Sequence, residues 1–185
     1  MSELLFMDIF GIGRLKAKKM FPEAAEKMGL KAHSLLKKRS FPQYSGSFSN
    51  FKIEVAPEMS SIKVMMQSVP GLFMNTFGKN VEFDIGNETI DRFFTERKAP
   101  RSTYEKLVGN AEWVHFVRRF IEKWKRVIQV LDVEPGYIEC RMKYGNGHYI
   151  PASVLEPMTS DLVKIADILQ KTVNIESSGP ANVKE

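Results

Sequence analysis

The sequence predicts an α+β fold, a two-layer sandwich of antiparallel β-hairpins packed with two or three helices. Strand-like segments occur in adjacent pairs, not singly between helices, which favours hairpins over a parallel sheet. At 185 residues and 43% hydrophobic content, the chain is long enough to bury one sizeable core. We expect an apolar and basic segment over residues 1–20, a single domain over 21–175 and a disordered tail over 176–185.

Turn residues and alternation define the elements of the first half. Residues 3–10 are expected to form a short apolar helix. A second helix is predicted over Pro22–Met28, because proline suits the first helical position and Gly29 the position just after the end. The pair Ser49-Asn50 separates "YSGSF" from "FKIEV" and predicts a hairpin. "SIKVMMQ" and "VEFDI" are predicted as further strands.

A capping box and an apolar stripe define two helices in the second half. Ser102 with Glu105 predicts that a helix starts at "TYEKLV". Asn110 is predicted to cap "AEWVHFVRRFIEKW". The apolar positions of that segment recur at helical spacing and should form one buried stripe: Trp113, Phe116, Val117, Phe120, Ile121 and Trp124.

The C-terminal part reads as a hairpin followed by a helix. "RVIQVLDV" and "YIECRMKY" flank a Glu-Pro-Gly turn at 134–136 and predict two antiparallel strands. Thr159 or Ser160 is predicted to cap "DLVKIADILQKTV", in which Leu162 and Leu169 share one apolar face.

The positive charge is concentrated near the N-terminus. Residues 1–40 hold nine Lys/Arg and four Asp/Glu, which accounts for the whole net charge of +5. Such asymmetry favours an anionic partner for this end, either nucleic acid or a membrane surface, although a solvated basic face explains it equally well.

The stretch "FGIGRLKAKKM" has the spacing of a helix-hairpin-helix, which resembles a nucleic-acid-binding motif. There Gly11 and Gly13 let the backbone approach a phosphate, and the second helix offers its positive N-terminus. The cations that would add attraction are Arg14, Lys16, Lys18 and Lys19. Alternatively, the apolar residues before them, including Leu5 and Phe6, contact an anionic membrane with these cations. In a third interpretation this segment docks on its own sheet or on a second copy of the chain, forming a homo-oligomer.

Three short segments resemble a family of uncharacterised bacterial proteins. They are "AAEKMGL", "YSGSFSNFKIEVA" and "FDIGNETIDRFF", the last being similar to a Gly-Asp-x-x-Phe-Asp-x-x-Phe segment of that family. Asn87 stands where the family pattern has aspartate, and Ile90 where it has phenylalanine. The resemblance spans roughly residues 21–170. It implies no reaction, but it implies a domain near a membrane, because family members often carry hydrophobic segments ahead of this region.

The sequence offers few groups for catalysis. His33, His115 and His148 lie in different segments without metal-ligand spacing. Cys140 is the single cysteine, so it can form neither an intrachain disulfide nor a thiolate cluster, and its strand pattern predicts a core thiol. The weak candidates for a metal site are the carboxylates of Asp84, Glu88 and Asp91, which helix capping explains as well.

A basic cluster follows the apolar stripe on the predicted central helix, with Arg118, Arg119, Lys123, Lys125 and Arg126 as its members. Because the aromatic residues of that helix are predicted to be buried, the cluster has no platform for base stacking and is interpreted as a solvated face.

These observations favour a non-enzymatic binding or accessory domain without a cofactor and without catalytic residues. Its expected partners are an anionic membrane surface or a protein, and nucleic acid bound through the N-terminal hairpin is the alternative. An unrecognised hydrolase or metal-dependent enzyme is a third interpretation. No apolar stretch is long enough to cross a bilayer, and Glu3 and Asp8 interrupt any secretory signal. We therefore expect a cytoplasmic protein, peripheral to the inner face of the membrane.

Overall fold

The computed structural model describes residues 12–33, 42–67, 69–143 and 150–174, with the backbone alone for 12–19, 58 and 174. Five helices are present in these ranges: α1 (Ile12–Lys27), α2 (Glu88–Phe93), α3 (Arg101–Gly109), α4 (Ala111–Trp124) and α5 (Ala152–Asn174). The eight strands are β1 (Leu30–His33), β2 (Gln43–Phe48), β3 (Phe51–Ala56), β4 (Ser61–Met65), β5 (Phe73–Asn75), β6 (Glu96–Lys98), β7 (Ile128–Glu134) and β8 (Tyr137–Met142).

All eight strands form one open antiparallel sheet, which confirms the predicted α+β class. The strand order is β1-β2-β3-β4-β8-β7-β5-β6, so two sets of four strands meet where β4 pairs with β8. The predicted turn at Ser49 and Asn50 joins β2 to β3. Both residues have positive φ, 49° and 69°, as a two-residue hairpin turn that follows the sheet twist requires.

The hydrophobic core lies on one face of the sheet, beneath the helices. Along β8, the buried side chains of Ile138, Cys140 and Met142 alternate with partly exposed ones at positions 137, 139 and 141. The helix α5 contacts β4 and β8 and also packs against α1, α3 and α4. We call the opposite side of the sheet the outer face; it carries positions 137, 139 and 141 of β8 and their cross-strand neighbours.

The helix α4 confirms the predicted stripe and its cap. The Asn110 side chain accepts a hydrogen bond from the backbone N–H of Trp113 at 2.9 Å. Four positions of the stripe are buried, and the rings of Phe116 and Trp124 are partly buried against the same core. The basic cluster on this helix is exposed to solvent; within it, Arg118 pairs with Glu122 along the helix.

Two helices begin earlier than predicted, and each contains a proline. The helix α1 continues through Pro22, so the start predicted there is wrong, and the expected domain boundary after residue 20 falls inside this helix. Its Phe21 ring packs edge-on against Tyr44, with 5.1 Å between ring centroids. The helix α5 runs through Pro157, and the Thr159 hydroxyl donates to the Leu155 carbonyl instead of capping an N-terminus. Tertiary packing here outweighs the lost backbone hydrogen bond.

The predicted capping box is also wrong. The helix α3 starts at Arg101 with Pro100 at the cap position, so Ser102 lies within its first turn. Glu105 pairs instead with Arg101, one helical turn earlier, at 2.8 Å. The proline fixes the backbone just before the first helical residue, which moves the start ahead of the serine.

The segment "VEFDI", predicted as a strand, is not one. Val81 makes a single bridge to Arg97, although Phe83 and Ile85 are buried in alternation as a strand pattern requires. The Glu82 N–H donates to the Arg97 carbonyl of β6 at 3.0 Å, but beyond Glu82 side chains satisfy the backbone: Arg97 Nε donates to the Phe83 carbonyl, and the Ile85 N–H donates to the carboxylate of Asp91. The alternation of apolar residues therefore reports burial here and not strand pairing.

Candidate binding surfaces

The structure describes only part of the segment that is predicted to contact an anion or a membrane. Leu5, Phe6 and Gly11 lie outside the described residues, as does the predicted helix over 3–10. The remaining members lie in the first two turns of α1, where only the backbone is described: Gly13, Arg14, Lys16, Lys18 and Lys19. The hairpin, membrane and docking interpretations of this segment, with its homo-oligomer, all stay predictions. None of the five described helices has a stretch that combines the length and the apolar composition of a membrane-spanning segment.

The candidate metal carboxylates are engaged with arginine side chains and backbone amides. Asp84 and Asp91 both face Arg97, which is only 2% exposed; the Nη2 of Arg97 lies 2.5 Å from Asp84 Oδ1. Asp91 accepts hydrogen bonds from the N–H groups of Ile85 and residue 87, and Glu88 pairs with the exposed Arg92. Among the described residues, no group of three His, Cys, Asp or Glu side chains has metal-binding geometry. The three carboxylates thus serve the buried Arg97 and the start of α2.

The candidate catalytic groups that fall within the described ranges are not brought together. His33 is exposed on β1 at one edge of the sheet, and His115 is exposed on α4, while His148 lies outside the described residues. Cys140 is fully buried on the core side of β8, and burial raises the pKa of its thiol. A buried thiol of raised pKa is a poor nucleophile.

The outer face of β4, β7 and β8 carries a network of charged side chains. Glu139 lies at its centre: Ser61 Oγ donates to Glu139 Oε1 at 2.7 Å, and Lys63 is its cross-strand partner on β4. The ammonium of Lys63 lies 4.2 Å from the centroid of the Tyr137 ring. The Nε of Arg141 is 3.9 Å from Glu139 Oε1, too long for a hydrogen bond.

Asp132 is the unusual member of this network. It is 7% exposed, and its closest cation is Arg141, whose Nη2 lies 3.7 Å from Oδ2. Neither Asp132 Oδ1 nor the Nε of Arg141 has a hydrogen-bond partner in the described part of the chain. Burial raises the pKa of the Asp132 carboxyl, although a hydrogen bond from the Thr76 backbone and the Arg141 charge oppose the shift. Burial also raises the pKa of Glu134 on the same strand.

Two exposed aromatic rings lie at the same end of the sheet. Phe73 of β5 is 39% exposed, and Phe77, in the turn after β5, is 65% exposed. That turn also supplies Thr76, which hydrogen-bonds to Asp132 through its backbone. In the register, Phe73 lies opposite Lys98, which is itself paired with Glu96 at 2.7 Å. Exposed aromatic rings next to paired charges of both signs are typical of a protein–protein interface.

Sequence reasoning missed this surface. The alternation in β7 places Asp132 opposite the core positions, but it gives no sign that the turn after β5 buries the carboxylate. Phe73 is the first residue of a three-residue strand and Phe77 follows that strand, which is too short to show a period.

The comparisons with known proteins show a likeness in fold. No family model matches the chain, and no curated protein matches it. Among solved structures, the chain is similar to the crystal structure of the mycobacterial trehalose monomycolate transport factor A, TtfA, with a TM-score of 0.50 and 11% sequence identity. The likeness covers 89% of this chain and 97% of that one. The two proteins therefore share the course of the backbone over nearly their whole length, and the resemblance to a family of bacterial proteins stays a prediction.

Proposed function

We propose that this chain is a non-enzymatic accessory domain that binds a protein partner through the outer face of its sheet. The contact region comprises Phe73, Phe77, Asp132 and Arg141, at the end formed by β5, β7 and β8. The observation that carries the proposal is Asp132, an ionisable side chain that is buried with one oxygen unpartnered among the described residues. Such a group lowers the stability of the isolated domain, and costs of this kind are typical of functional sites.

The charges of the outer face favour a protein over a membrane or a nucleic acid. On β4, β7 and β8, three negative charges (Asp132, Glu134 and Glu139) stand against two positive charges (Lys63 and Arg141), and the neighbouring strands β3 and β6 add charges that are paired within each strand. A surface with this balance does not attract an anionic bilayer or a phosphate backbone. A protein that presents acceptors can pair with Arg141, whose side chain is 41% exposed, while it covers the two phenylalanine rings.

The solved structure with a similar fold is named a transport factor, which is in keeping with an accessory role. Contact of the N-terminal segment, residues 1–20, with an anionic membrane is a separate prediction on another part of the chain.

The first test compares two exposed apolar side chains. Phe77→Ser removes a ring from the proposed interface, and Val108→Ser removes a 38% exposed side chain from α3 as a matched control. Tagged full-length variants are used to capture partners from an extract of the source cells, and each captured protein is then purified and titrated. We expect a partner that binds wild type and Val108→Ser with equal affinity but binds Phe77→Ser at least about tenfold more weakly. A Phe77→Ser variant that binds every partner with wild-type affinity would refute the proposal.

The second test separates a binding role of Asp132 from a structural one. Asp132→Asn removes an incompletely paired buried charge, so we expect it to weaken partner binding while it stabilises the isolated domain by about 1 kcal/mol, or about 2–4 °C in Tm. Because the folded-state pKa of Asp132 is raised, ionisation destabilises the fold as pH rises through that pKa. The Tm gain should therefore be full at pH 8 and shrink as the pH falls towards 3.8, the ordinary pKa of the group. Loss of stability in Asp132→Asn at pH 8 would show a structural role instead.

A further inference from the structure

A cleft of about 770 Å³ opens on the helix-covered side of the sheet, opposite the outer face. It lies between the β2–β3 turn, the end of β4 and one face of α5. Its apolar walls are side chains that also pack on the core: Phe48 and Phe51 beside the turn, Met66 after β4, and Val163 of α5. A cleft of this size falls within the range of about 300–1,000 Å³ that small-molecule sites occupy.

Polar side chains surround these apolar side chains, which form the floor of the cleft. On α5, the lining positions are 160, 163, 164, 167 and 170, which lie along one stripe of the helix. Ser160 and Gln170 mark the two ends of the stripe, and Asn50 and Gln67 face it from the turn and from the end of β4. The floor is therefore suited to a hydrocarbon chain, and the rim offers hydrogen bonds to a polar head.

The charges along the rim determine the sign of that head. Lys164 is the lining cation, and its ammonium lies 5.8 Å from the centroid of the Phe116 ring without a carboxylate partner in the described part of the chain. The lining carboxylate, Asp167, is already paired with Lys171 at 2.6 Å. The rim therefore carries one uncompensated positive charge, which complements an anionic headgroup.

We propose that this cleft binds a single-chain amphiphile with an anionic head, a long-chain carboxylate of the fatty-acid class. The hydrocarbon chain lies on Phe48, Phe51 and Met66, and the carboxylate meets Lys164 at the rim. This site is separate from the outer face, so the two proposals succeed or fail independently.

The test uses a fluorescent fatty acid, cis-parinaric acid, with the full-length chain and at concentrations below micelle formation. We expect a saturable rise in fluorescence with one probe bound per chain. Palmitate should displace the probe, and hexadecanol, which has the same chain length and no charge, should displace it about two- to fivefold less effectively. Absence of saturable binding would overturn the proposal.

Matched variants locate the site. Lys164→Glu should weaken binding of palmitate about fivefold, because repulsion replaces attraction, and should leave binding of hexadecanol unchanged. Lys125→Glu, the same change at an exposed position after α4, should have no effect. Gln67→Trp, at an exposed lining position, should weaken binding of both palmitate and hexadecanol because the larger side chain fills the cleft. Equal losses for the two lysine variants would show that binding reflects only net charge. Wild-type affinity in Lys164→Glu and Gln67→Trp would show that the cleft takes a different occupant; either result refutes the proposal.

Discussion

Replacing Arg97 by methionine removes a buried guanidinium that connects three parts of the chain. Its Nε donates to the Phe83 carbonyl at 2.7 Å, and its Nη1 donates to the carbonyls of Asp91 and Phe94 at 2.6 and 2.5 Å. Its Nη2 pairs with Asp84. Each of the three carbonyls that loses its donor costs about 1–3 kcal/mol. Asp84 is 71% exposed and is solvated once its partner is gone, so the three carbonyls account for most of the loss. We therefore expect Arg97→Met to lose about 3–5 kcal/mol of unfolding free energy, which lowers Tm by about 6–20 °C.

Urea unfolding followed by tryptophan fluorescence and circular dichroism measures this loss. The matched control is Arg92→Met, because Arg92 pairs with Glu88 along α2 with both side chains at least 75% exposed. Such exposed pairs are worth about 0.5 kcal/mol or less. Arg97→Lys keeps the charge but offers one donor group for four acceptors, so its stability should lie between wild type and Arg97→Met. If the unfolding free energy of Arg97→Met is within about 1 kcal/mol of the wild-type value, the Arg97 guanidinium does not stabilise the segment around Phe83.

Two further predictions concern the β2 strand and the core thiol. A Cβ at position 46 would lie 2.4 Å from the Gly29 carbonyl oxygen, so Gly46→Ala should cost about 1–3 kcal/mol by thermal melting. Gly109→Ala, where no atom lies within 4 Å of the added Cβ, should be neutral or stabilising; equal effects at the two positions would contradict the close approach. Since burial raises the pKa of Cys140, Ellman's reagent should label it rapidly in 8 M urea and at least about a hundredfold more slowly in the native protein. Rapid labelling of the native protein would place the thiol at the surface.

Much of the fold could be predicted because its largest elements have strong local signals. The turn at Ser49 and Asn50, the Asn110 cap with its apolar stripe, and the hairpin around Gly136 all appear where the sequence indicates them. In each case the local preference and the burial pattern agree, so no tertiary contact is needed to decide between them.

The remaining elements depend on contacts between distant residues. The strands β5 and β6 have three residues each, which is too few to show alternation. The segment around Phe83 alternates correctly, but its backbone pairing with β6 ends at Glu82, and at Phe83 the side chain of Arg97, fourteen positions later in the chain, takes the place of a strand partner. The outer face was missed for the same reason, since Asp132 accepts a hydrogen bond from the backbone of Thr76, more than fifty residues earlier in the chain.

The position of β8 in the sheet has a consequence for synthesis of the chain. The meander β1–β4 is made first, and its last strand pairs with β3 on one side and with β8 on the other, where Ser61 lies opposite Arg141. Until residue 142 has left the ribosome, β4 presents an unpaired edge and its core face has no α5 above it. An open edge next to an uncovered apolar face is the arrangement from which strands of different chains associate. Nascent chains that stop before β8 should therefore aggregate or recruit chaperones, whereas chains that extend through α5 close the sheet and bury that edge.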